Sequence, residues 1–311
     1  MVEFSAFQFR IATKRLPVKG THTEYREGIL LRSTTNPNIW SEASPLPGFS
    51  TDTLDDVKAS LDSNNIDVPS LEFAVESLSS DFPISGKIPV CALLASTDLD
   101  SFTYSANQLS DSPFRAVKVK VGRSSIEDDI RRVGALRNAL RADQSIRLDS
   151  NRSWNLPEAI HFANQIAEFQ IDFIEEPVEN PNDLEQFFAE SGCRYALDET
   201  LVDQRFNVQD FPNASVFVVK PTIIGRFSRI KSLIALEKPI VFSSVFESGV
   251  GIYQIGRMAT ACSENIAVGL DTYRWLKEDV VLTPWSFDDG YFEFHEPPKV
   301  DLNCLTPIQS A

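Results

Sequence analysis

Eight short apolar runs recur along the chain from about residue 89, and segments with helical periodicity separate most of them. The runs are PVCALL, RAVKVKV, SIRLDS, IDFIEE, YALDE, VFVVK, PIVFSS and IAVGLD. Polar residues end six successive runs at intervals of 29, 26, 23, 22 and 23 residues: Lys120, Asp149, Glu175, Asp198, Lys220 and Ser243. A strand–helix unit of about 25–30 residues, repeated eight times, is typical of an α/β barrel. The spacing therefore predicts a closed barrel of parallel strands.

The first 88 residues have a different pattern, which predicts an α+β capping domain. FSAFQFRIAT alternates apolar and polar residues as a half-buried strand does, and EGILLRS is its expected hairpin partner. Helices are predicted in TDTLDDVKASL, where Thr or Asp would cap the first turn, and in LEFAVESLSSDF. Residues 281–311 alternate again and are expected to return to this domain. Residues 89–280 are then the barrel.

Charge and rare residue types argue against several classes of function. The net charge of −15 disfavours nucleic acid as a partner, because neutralising phosphate needs clustered Lys and Arg. No apolar run approaches the roughly 20 residues of a membrane helix, and the N-terminus lacks the pattern of a signal peptide. The three scattered histidines and four widely spaced cysteines disfavour a zinc site, a Ser-His-Asp triad and disulfides. We expect a cytoplasmic protein without nucleic-acid or membrane partners.

Three acids, Asp149, Glu175 and Asp198, end three consecutive predicted strands. Active sites of barrels lie at the carboxyl ends of the strands, so these carboxylates would converge and repel one another unless a cation neutralised them. Oxygen ligands without His or Cys suit a hard ion, and we expect Mg²⁺, with Mn²⁺ able to replace it. The competing interpretation is that each acid only caps the following helix, which explains one acid well but three in succession poorly.

Lysines flank the three acids on both sides. Lys118 and Lys120 point the same way from one strand, and Lys220 ends the strand that follows the acids. On a closed ring Lys120 and Lys220 would face each other across the metal. A nearby cation lowers the pKa of a lysine from about 10.4 towards neutrality, which makes the amine a usable base. Lysine with a metal suits removal of a proton next to a carboxylate.

The motifs VKVKVG, RLDSNRSW, FIEEP, ALDET, VVKP and FSSVFESGVG, in this order, resemble those of the enolase superfamily. The KxK pair before the acids and the lysine after them resemble its muconate-lactonising subgroup. SEASPLPGFS, VVKPTIIG, SSVFES and GLDT are similar to stretches of the o-succinylbenzoate synthases within that subgroup. The resemblance covers nearly the whole chain. It implies a modified TIM barrel of the (β/α)7β type under an α+β cap that the C-terminal segment completes.

The resemblance also implies roles for individual residues. Lys120 would be the base, Lys118 would assist it, and Lys220 would sit over the substrate ring as a cation. The acids would bind the metal, with Glu176 behind Glu175 and Glu199 in a similar place beside the third acid. Four further residues match substrate-binding positions, the first two around the metal and the last two along a succinyl arm: Asn151, Arg147, Ser243 and Gly269. Segments near Gly20–Arg26 and Pro45–Phe49 would close over the substrate.

The implied reaction is the dehydration of a small carboxylate, 2-succinyl-6-hydroxy-2,4-cyclohexadiene-1-carboxylate, on the way to menaquinone or phylloquinone. An N-acylamino-acid racemase or dipeptide epimerase of the same subgroup stays open, since lysines stand on both sides of the acids. GLDTYRW lacks the DxD-type motif usual in dipeptide epimerases. A non-catalytic barrel that binds an anion or a protein is a further alternative, and a metal-dependent hydrolase or aldolase is a weaker one. GVGIYQIG is interpreted as a tight strand-to-helix turn whose backbone N–H groups meet a substrate carboxylate.

Overall fold

The structure, a computed structural model, describes residues 3–18, 24–262 and 265–308. It begins with an antiparallel meander of three strands: β1 (Phe4–Ala12), β2 (Tyr25–Ser33) and β3 (Trp40–Ala43). β1 and β2 pair over their full length, from Phe4 opposite Ser33 to Ala12 opposite Tyr25. The hairpin predicted from alternation is therefore confirmed.

Two helices cover one face of this sheet, α1 (Leu54–Asp62) and α2 (Pro69–Leu78). Thr53 and Asp56 form a reciprocal capping box at the start of α1, which satisfies backbone N–H groups that the first turn leaves free. Apolar side chains of both helices pack against buried residues of β2, such as Ile29 and Leu31, and these form a core of their own. Local capping and apolar burial together place the helices.

β4 (Gly86–Pro89) leads into a sheet of seven parallel strands in sequential order. They are β5 (Cys91–Leu94), β6 (Ala116–Lys120), β7 (Ser145–Asp149), β8 (Ile171–Glu175), β9 (Tyr195–Leu197), β10 (Val216–Val219) and β11 (Ile240–Phe242). An eighth position closes the ring with two residues only, because Val268 bridges Val90 and Gly269 bridges Ser243. The curled sheet is the modified TIM barrel that the resemblance implied.

Helices form the outer layer of the barrel: α3 (Leu99–Ser110), α4 (Ile126–Ala139), α5 (Leu156–Gln165), α6 (Leu184–Ser191), α7 (Pro221–Ile224), α8 (Phe227–Ile234) and α9 (Gly249–Cys262). The connection from β9 to β10 differs, since it carries the 3-10 turns Glu199–Leu201 and Val208–Asp210 instead of an α-helix. Phe173, Val218 and Val241 belong to the apolar cluster that fills the barrel interior.

The C-terminal segment contributes two strands to the N-terminal elements. β12 (Tyr291–Phe294) pairs antiparallel with β4, and β13 (Leu305–Pro307) pairs antiparallel with β1. The N-terminal sheet therefore has the order β13-β1-β2-β3. The expected return of the chain to its N-terminal region is present as strand pairing.

Candidate active site

The polar strand ends predicted from the sequence lie side by side at one end of the barrel. Lys120 pairs in register with Asp149, and Asp149 pairs with Glu175, as the last residues of β6, β7 and β8. Asp198 and Lys220 follow β9 and β10 directly. All three acids are buried, with no more than 5% of each exposed. Parallel strands in register bring residues far apart in sequence to a single rim.

Each carboxylate of this rim contacts a lysine ammonium. The Nζ atom of Lys118 lies 2.7 Å from Oδ2 of Asp149 and 2.7 Å from Oε2 of Glu175. The Nζ atom of Lys120 lies 2.6 Å from the same Oδ2 of Asp149 and donates to Oδ1 of Asn151 at 2.8 Å. Lys220 pairs with Asp198. The positive and negative groups of the rim therefore neutralise one another within a buried cluster.

Burial and neighbouring charges drive the pKa values of the two β6 lysines in opposite directions. Burial favours the neutral amine at both positions. At Lys118 the Asp149 and Glu175 carboxylates outweigh burial and raise the pKa, whereas at Lys120 burial prevails over Asp149 and lowers the pKa. Burial likewise raises the pKa of Asp198, despite its contact with Lys220. The rim thus holds one lysine as a fixed cation and the other closer to the free amine.

The donor chemistry of the rim suits a hard divalent cation, because Asp149, Glu175 and Asp198 offer carboxylate oxygens alone. Within the described residues, no three acidic, histidine or cysteine side chains already surround one point as ligands. Lysine ammonium groups hold the carboxylates instead, as the contacts above show. After burial, the neighbouring carboxylates of Glu199 and Glu175 add to the raised pKa of Asp198, as expected for acids that face one another across the rim.

Glu176 faces away from the rim and fixes the segment that carries Asp198. Its Oε1 accepts from the backbone N–H groups of Asp198 at 2.9 Å and Thr200 at 2.8 Å, and Arg152 pairs with its Oε2 at 3.0 Å. Glu199 was expected to lie behind the metal-binding acids as Glu176 does, and the structure corrects this expectation. It lines the cavity, and its Oε1 accepts from the side-chain amide of Asn151 at 2.9 Å.

A cavity of about 190 Å³ opens above the rim between the barrel and the N-terminal elements. Six residues predicted as site residues line it: Lys118, Lys120, Asn151, Lys220, Ser243 and Gly269. Leu46 and Phe49, from the predicted Pro45–Phe49 segment, cover it, and the Phe49 ring centroid lies 4.7 Å from Nζ of Lys220. Residues 20–23 of the other predicted closing segment lie outside the described residues. Arg26, at the end of that segment, is buried in the contact between the N-terminal sheet and the barrel, away from the cavity.

Arg147 does not line this cavity, which corrects its expected contact with substrate. Its Nε donates to Oδ2 of Asp172 at 3.1 Å and its Nη1 to the carbonyl of Ala267 at 2.6 Å. The side chain borders a different cavity, near the amino ends of the strands. Arg147 points inward as Asp149 does, but it stands two residues earlier on β7, about 6.6 Å deeper along the strand.

The glycine-rich segment GVGIYQIG also differs from its interpretation, since it forms the start of the long buried helix α9. Its backbone N–H groups are engaged by carboxylates of the protein. Gly249 donates to Oδ1 of Asp279 at 2.9 Å, and Gly251 donates to Oε2 of Glu42 at 2.9 Å. The groups expected to meet a substrate carboxylate are therefore already used.

Sequence reasoning missed two charged residues of the cavity, Arg123 and Asp271. Asp271 lies in the GLDT stretch, where Oδ2 accepts from the backbone N–H of Leu93 at 2.7 Å. Burial raises the pKa of Asp271 to about 6. Arg123 lies in the turn after β6, beyond the end of the apolar run, where strand alternation carries no information. In the sequence, the one indication that Arg123 lies near the site is its position shortly after the KxK motif.

Comparison with known proteins gives the family. Residues 102–298 match the family model described as enolase C-terminal domain-like. The o-succinylbenzoate synthase of Proteus mirabilis (strain HI4320) is 30% identical over 280 residues, which cover 82% of this chain and 85% of that protein. The chain belongs to the o-succinylbenzoate synthase family of the enolase superfamily. It is an enzyme of the lyase class.

Solved structures confirm the fold. An o-succinylbenzoate synthase from Thermosynechococcus elongatus BP-1, complexed with Mg in its active site, aligns with a TM-score of 0.71 at 21% identity and covers 90% of this chain and 96% of that one. A dipeptide epimerase from Enterococcus faecalis V583 aligns with a TM-score of 0.76 at 17% identity, covering 96% and 98%. Across the described part of the chain, no helix has both the length and the apolar character needed to span a membrane.

Proposed function

We propose that this chain is an o-succinylbenzoate synthase, which dehydrates 2-succinyl-6-hydroxy-2,4-cyclohexadiene-1-carboxylate to 2-succinylbenzoate with Mg²⁺ as cofactor, in menaquinone or phylloquinone synthesis. The observation that carries the proposal is the buried rim: Lys120 and Lys220 stand on opposite sides of the eight-position ring, with three carboxylates between them. This arrangement suits proton abstraction next to a carboxylate. The relatives' shared name supplies the substrate.

Lys120 is proposed as the base that removes the proton from C1 of the substrate. Its Nζ is held by Asp149 and Asn151, so the amine has a fixed direction. The electron pair of the C1–H bond forms a ring double bond as the C6–O bond breaks. Lys120, now an ammonium, returns its proton to the departing hydroxide on the same face, and water leaves. The ring becomes aromatic in this step.

The remaining rim residues stabilise charge. Asp149, Glu175 and Asp198 would hold Mg²⁺, whose charge, when bound, lowers the energy of the substrate carboxylate as negative charge develops on it. Lys118 keeps its positive charge beside Lys120 and so favours the free amine of its neighbour. Lys220 faces the ring from the opposite side, covered by Phe49, where its ammonium offsets the negative charge of the developing transition state.

An ultraviolet assay with the cyclohexadiene carboxylate tests the proposal, with Mg²⁺ or with excess chelator. We expect the diene absorbance to disappear with Mg²⁺ and to persist with chelator. Lys120→Ala should lower turnover by about 10³-fold. Lys231→Ala, an exposed lysine of α8, is the matched control and should keep full activity. Absence of turnover by folded, Mg²⁺-supplied protein would reject the synthase function.

A second candidate function is racemisation of N-acylamino acids. The opposite placement of Lys120 and Lys220 favours it, because racemisation needs a base on each face of one carbon. Incubation of N-succinyl amino acids in D₂O distinguishes the functions. Exchange of the α-proton with inversion, in the absence of diene turnover, would make racemisation the primary activity. A non-catalytic barrel would show neither reaction.

A further inference from the structure

Arg123 is a cation of the cavity lining that the proposed chemistry does not use. It is exposed at the mouth of the cavity, and its Nη2 donates to the backbone carbonyl of Pro17 at 2.5 Å. Among the residues that the structure describes, no carboxylate pairs with it. Lys118, Lys120 and Lys220 each contact at least one carboxylate. Among the described residues that line the cavity, Arg123 is therefore the arginine whose guanidinium keeps N–H groups available for a ligand.

The turn that carries Arg123 is rigidly anchored. The carboxylate of Asp129, fully buried at the start of α4, accepts from the backbone N–H of Gly122 at 2.6 Å and from Oγ of Ser124 at 2.9 Å. Arg132 completes the anchor by pairing with Asp129. Both carboxylate oxygens of Asp129 are thus occupied by groups other than Arg123. These contacts hold Arg123 at the mouth of the cavity without supplying a countercharge for it.

We propose that Arg123 binds the second carboxylate of the substrate, at the end of the succinyl arm, an inference that rests on the proposed synthase function. The reacting carboxylate belongs with the lysines and acids of the buried rim, three residues deeper than Arg123 along β6 and its turn. The distal carboxylate then needs a cation elsewhere. A guanidinium suits it, because its planar fork of donors matches the two oxygens of a carboxylate.

The order of the strands gives the arm a path to Arg123. Ser243 and Gly269, the predicted contacts of the arm, meet where the ring closes, and β5 lies between that closure and β6. Leu93 of β5 lines the cavity on this path, as do Pro17 and Leu46 from the N-terminal elements. Apolar groups accept the methylene carbons of the arm but leave its terminal charge unpaired. Arg123 lies at the end of this path, where the terminal carboxylate of the arm would be.

The hydrogen bond to Pro17 also links Arg123 to the N-terminal elements that cover the cavity. Arg123 belongs to the barrel, whereas Pro17 precedes β2 in the N-terminal elements that cover the cavity. A guanidinium has five donor hydrogens, enough to keep the Pro17 carbonyl and bind a carboxylate. A bound dicarboxylate would therefore add a charged contact at the junction between barrel and cover.

Calorimetry with two ligands tests the proposal in Mg²⁺ buffer. One ligand is the product 2-succinylbenzoate, and the other is 2-butanoylbenzoate, which carries a methyl group in place of the distal carboxylate. Wild type should prefer the succinyl ligand, and Arg123→Gln should reduce this preference about tenfold while binding the butanoyl ligand as wild type does. Arg123→Lys, which keeps the charge and loses the fork, should fall between them. Arg131→Gln, an exposed arginine of α4 that pairs with Asp128, is the matched control and should change neither affinity.

Each outcome of the comparison is decisive. An equal loss of affinity for both ligands in Arg123→Gln would show that Arg123 only supports the Pro17 segment, and an unchanged preference would show that the distal carboxylate lies elsewhere. Either result would overturn the inference and leave the synthase function standing. Failure of wild type to bind the succinyl ligand, together with absent diene turnover, would reject the synthase function and the inference with it.

Discussion

Ser243 and Gly269 show how a single absent side chain shapes the cavity. A Cβ atom added at Gly269 would stand 2.5 Å from Oγ and 3.1 Å from Cβ of Ser243, closer than carbon atoms tolerate. The two residues also form the bridge that closes the barrel, so neither backbone can easily withdraw. The position of the Ser243 side chain beside this bridge therefore favours glycine at position 269.

We expect Gly269→Ala to raise KM about tenfold or more, because Ser243 is pushed into the cavity. The double variant Gly269→Ala/Ser243→Ala removes the nearer clashing atom and should recover part of the loss, which steady-state kinetics of all four forms would measure. Ser243→Ala alone should have the smallest effect. Additive losses without recovery would contradict this steric explanation.

Glu247 is a buried acid whose pKa burial raises to about 7 from an ordinary 4.5. Between these two pH values the folded protein keeps a proton that the unfolded chain releases, so the free energy of unfolding should fall as pH rises. The full effect is at most about 3 kcal/mol. Glu247→Gln removes the titrating group, keeps one carbonyl oxygen for the Val245 N–H and offers an amide N–H to the Thr222 hydroxyl, and should flatten this fall.

Urea denaturation at pH 4.5, 6 and 7.5 measures the effect, with Glu127→Gln, at an exposed position of α4, as the control. The control should keep the slope of wild type. If the slope is equally steep in Glu247→Gln, Glu247 is not the group that titrates.

At this scale, alternation along a strand predicts which side chains point inward but not how deep they lie. It correctly paired Lys118 with Lys120. The resemblance, not alternation, suggested Arg147 as a residue near the metal, and Arg147 faces inward from the same strand as Asp149 but does not reach the rim. It carried no information on Arg123, which follows the strand. Assignment of the individual catalytic roles remains a prediction.

At the scale of elements, the turn between β6 and α4 depends on Gly122, which has a positive φ of 72°. A Cβ atom there would lie 2.4 Å from Cβ of Ser153. Gly192, at the end of α6, has a similar φ of 65°, but nothing lies within 4 Å of an added Cβ. The two positions share a backbone conformation and differ in surroundings.

This pair separates conformational strain from steric conflict. Gly192→Ala should lower the free energy of unfolding by about 1 kcal/mol, the cost of a left-handed backbone. Gly122→Ala should cost about 1–3 kcal/mol more, because Ser153 must move as well. Chemical denaturation of both variants measures the difference. Equal costs would mean that the turn accommodates the extra carbon.

Strand number and order followed from the sequence because the barrel strands are apolar runs, and six successive runs end in a polar residue. The eighth run looks like the others, yet it forms only a two-residue closure. The connection after β9 lacks an α-helix, and the glycines of α9 suggested a turn, although the helix is buried among close neighbours where glycine saves space. Tertiary packing, which a single sequence does not display, decides these cases.

At the scale of the whole molecule, Arg26 joins the N-terminal sheet to the barrel. It is 2% exposed, and its guanidinium donates to the carbonyls of Ser44, Pro45 and Phe246 at 2.6, 2.9 and 3.1 Å. Glu42 crosses the same boundary, where it accepts from the backbone N–H of Ser248 at 3.0 Å. These contacts fix the segment after β11 that lines the cavity.

Arg26→Met should lower the free energy of unfolding by about 3–5 kcal/mol, because three buried carbonyls lose their donor. Arg10→Met, an exposed arginine on β1, should change it by less than about 0.5 kcal/mol. Hydrogen exchange in β2 and in the residue 243–248 segment should accelerate together in Arg26→Met. Acceleration in only one of them would show that Arg26 does not couple the two parts.

The pairing of β13 with β1 has a consequence for how the protein is made. β2 follows β1 closely in the sequence and can pair with it at once, but the other edge of β1 stays uncovered until β13, which is made after the whole barrel, has emerged. An open edge is a template for strands of other molecules. Nascent chains are therefore vulnerable to aggregation through β1 until β13 is made, and messages truncated before residue 305 would yield chains that keep this vulnerability permanently.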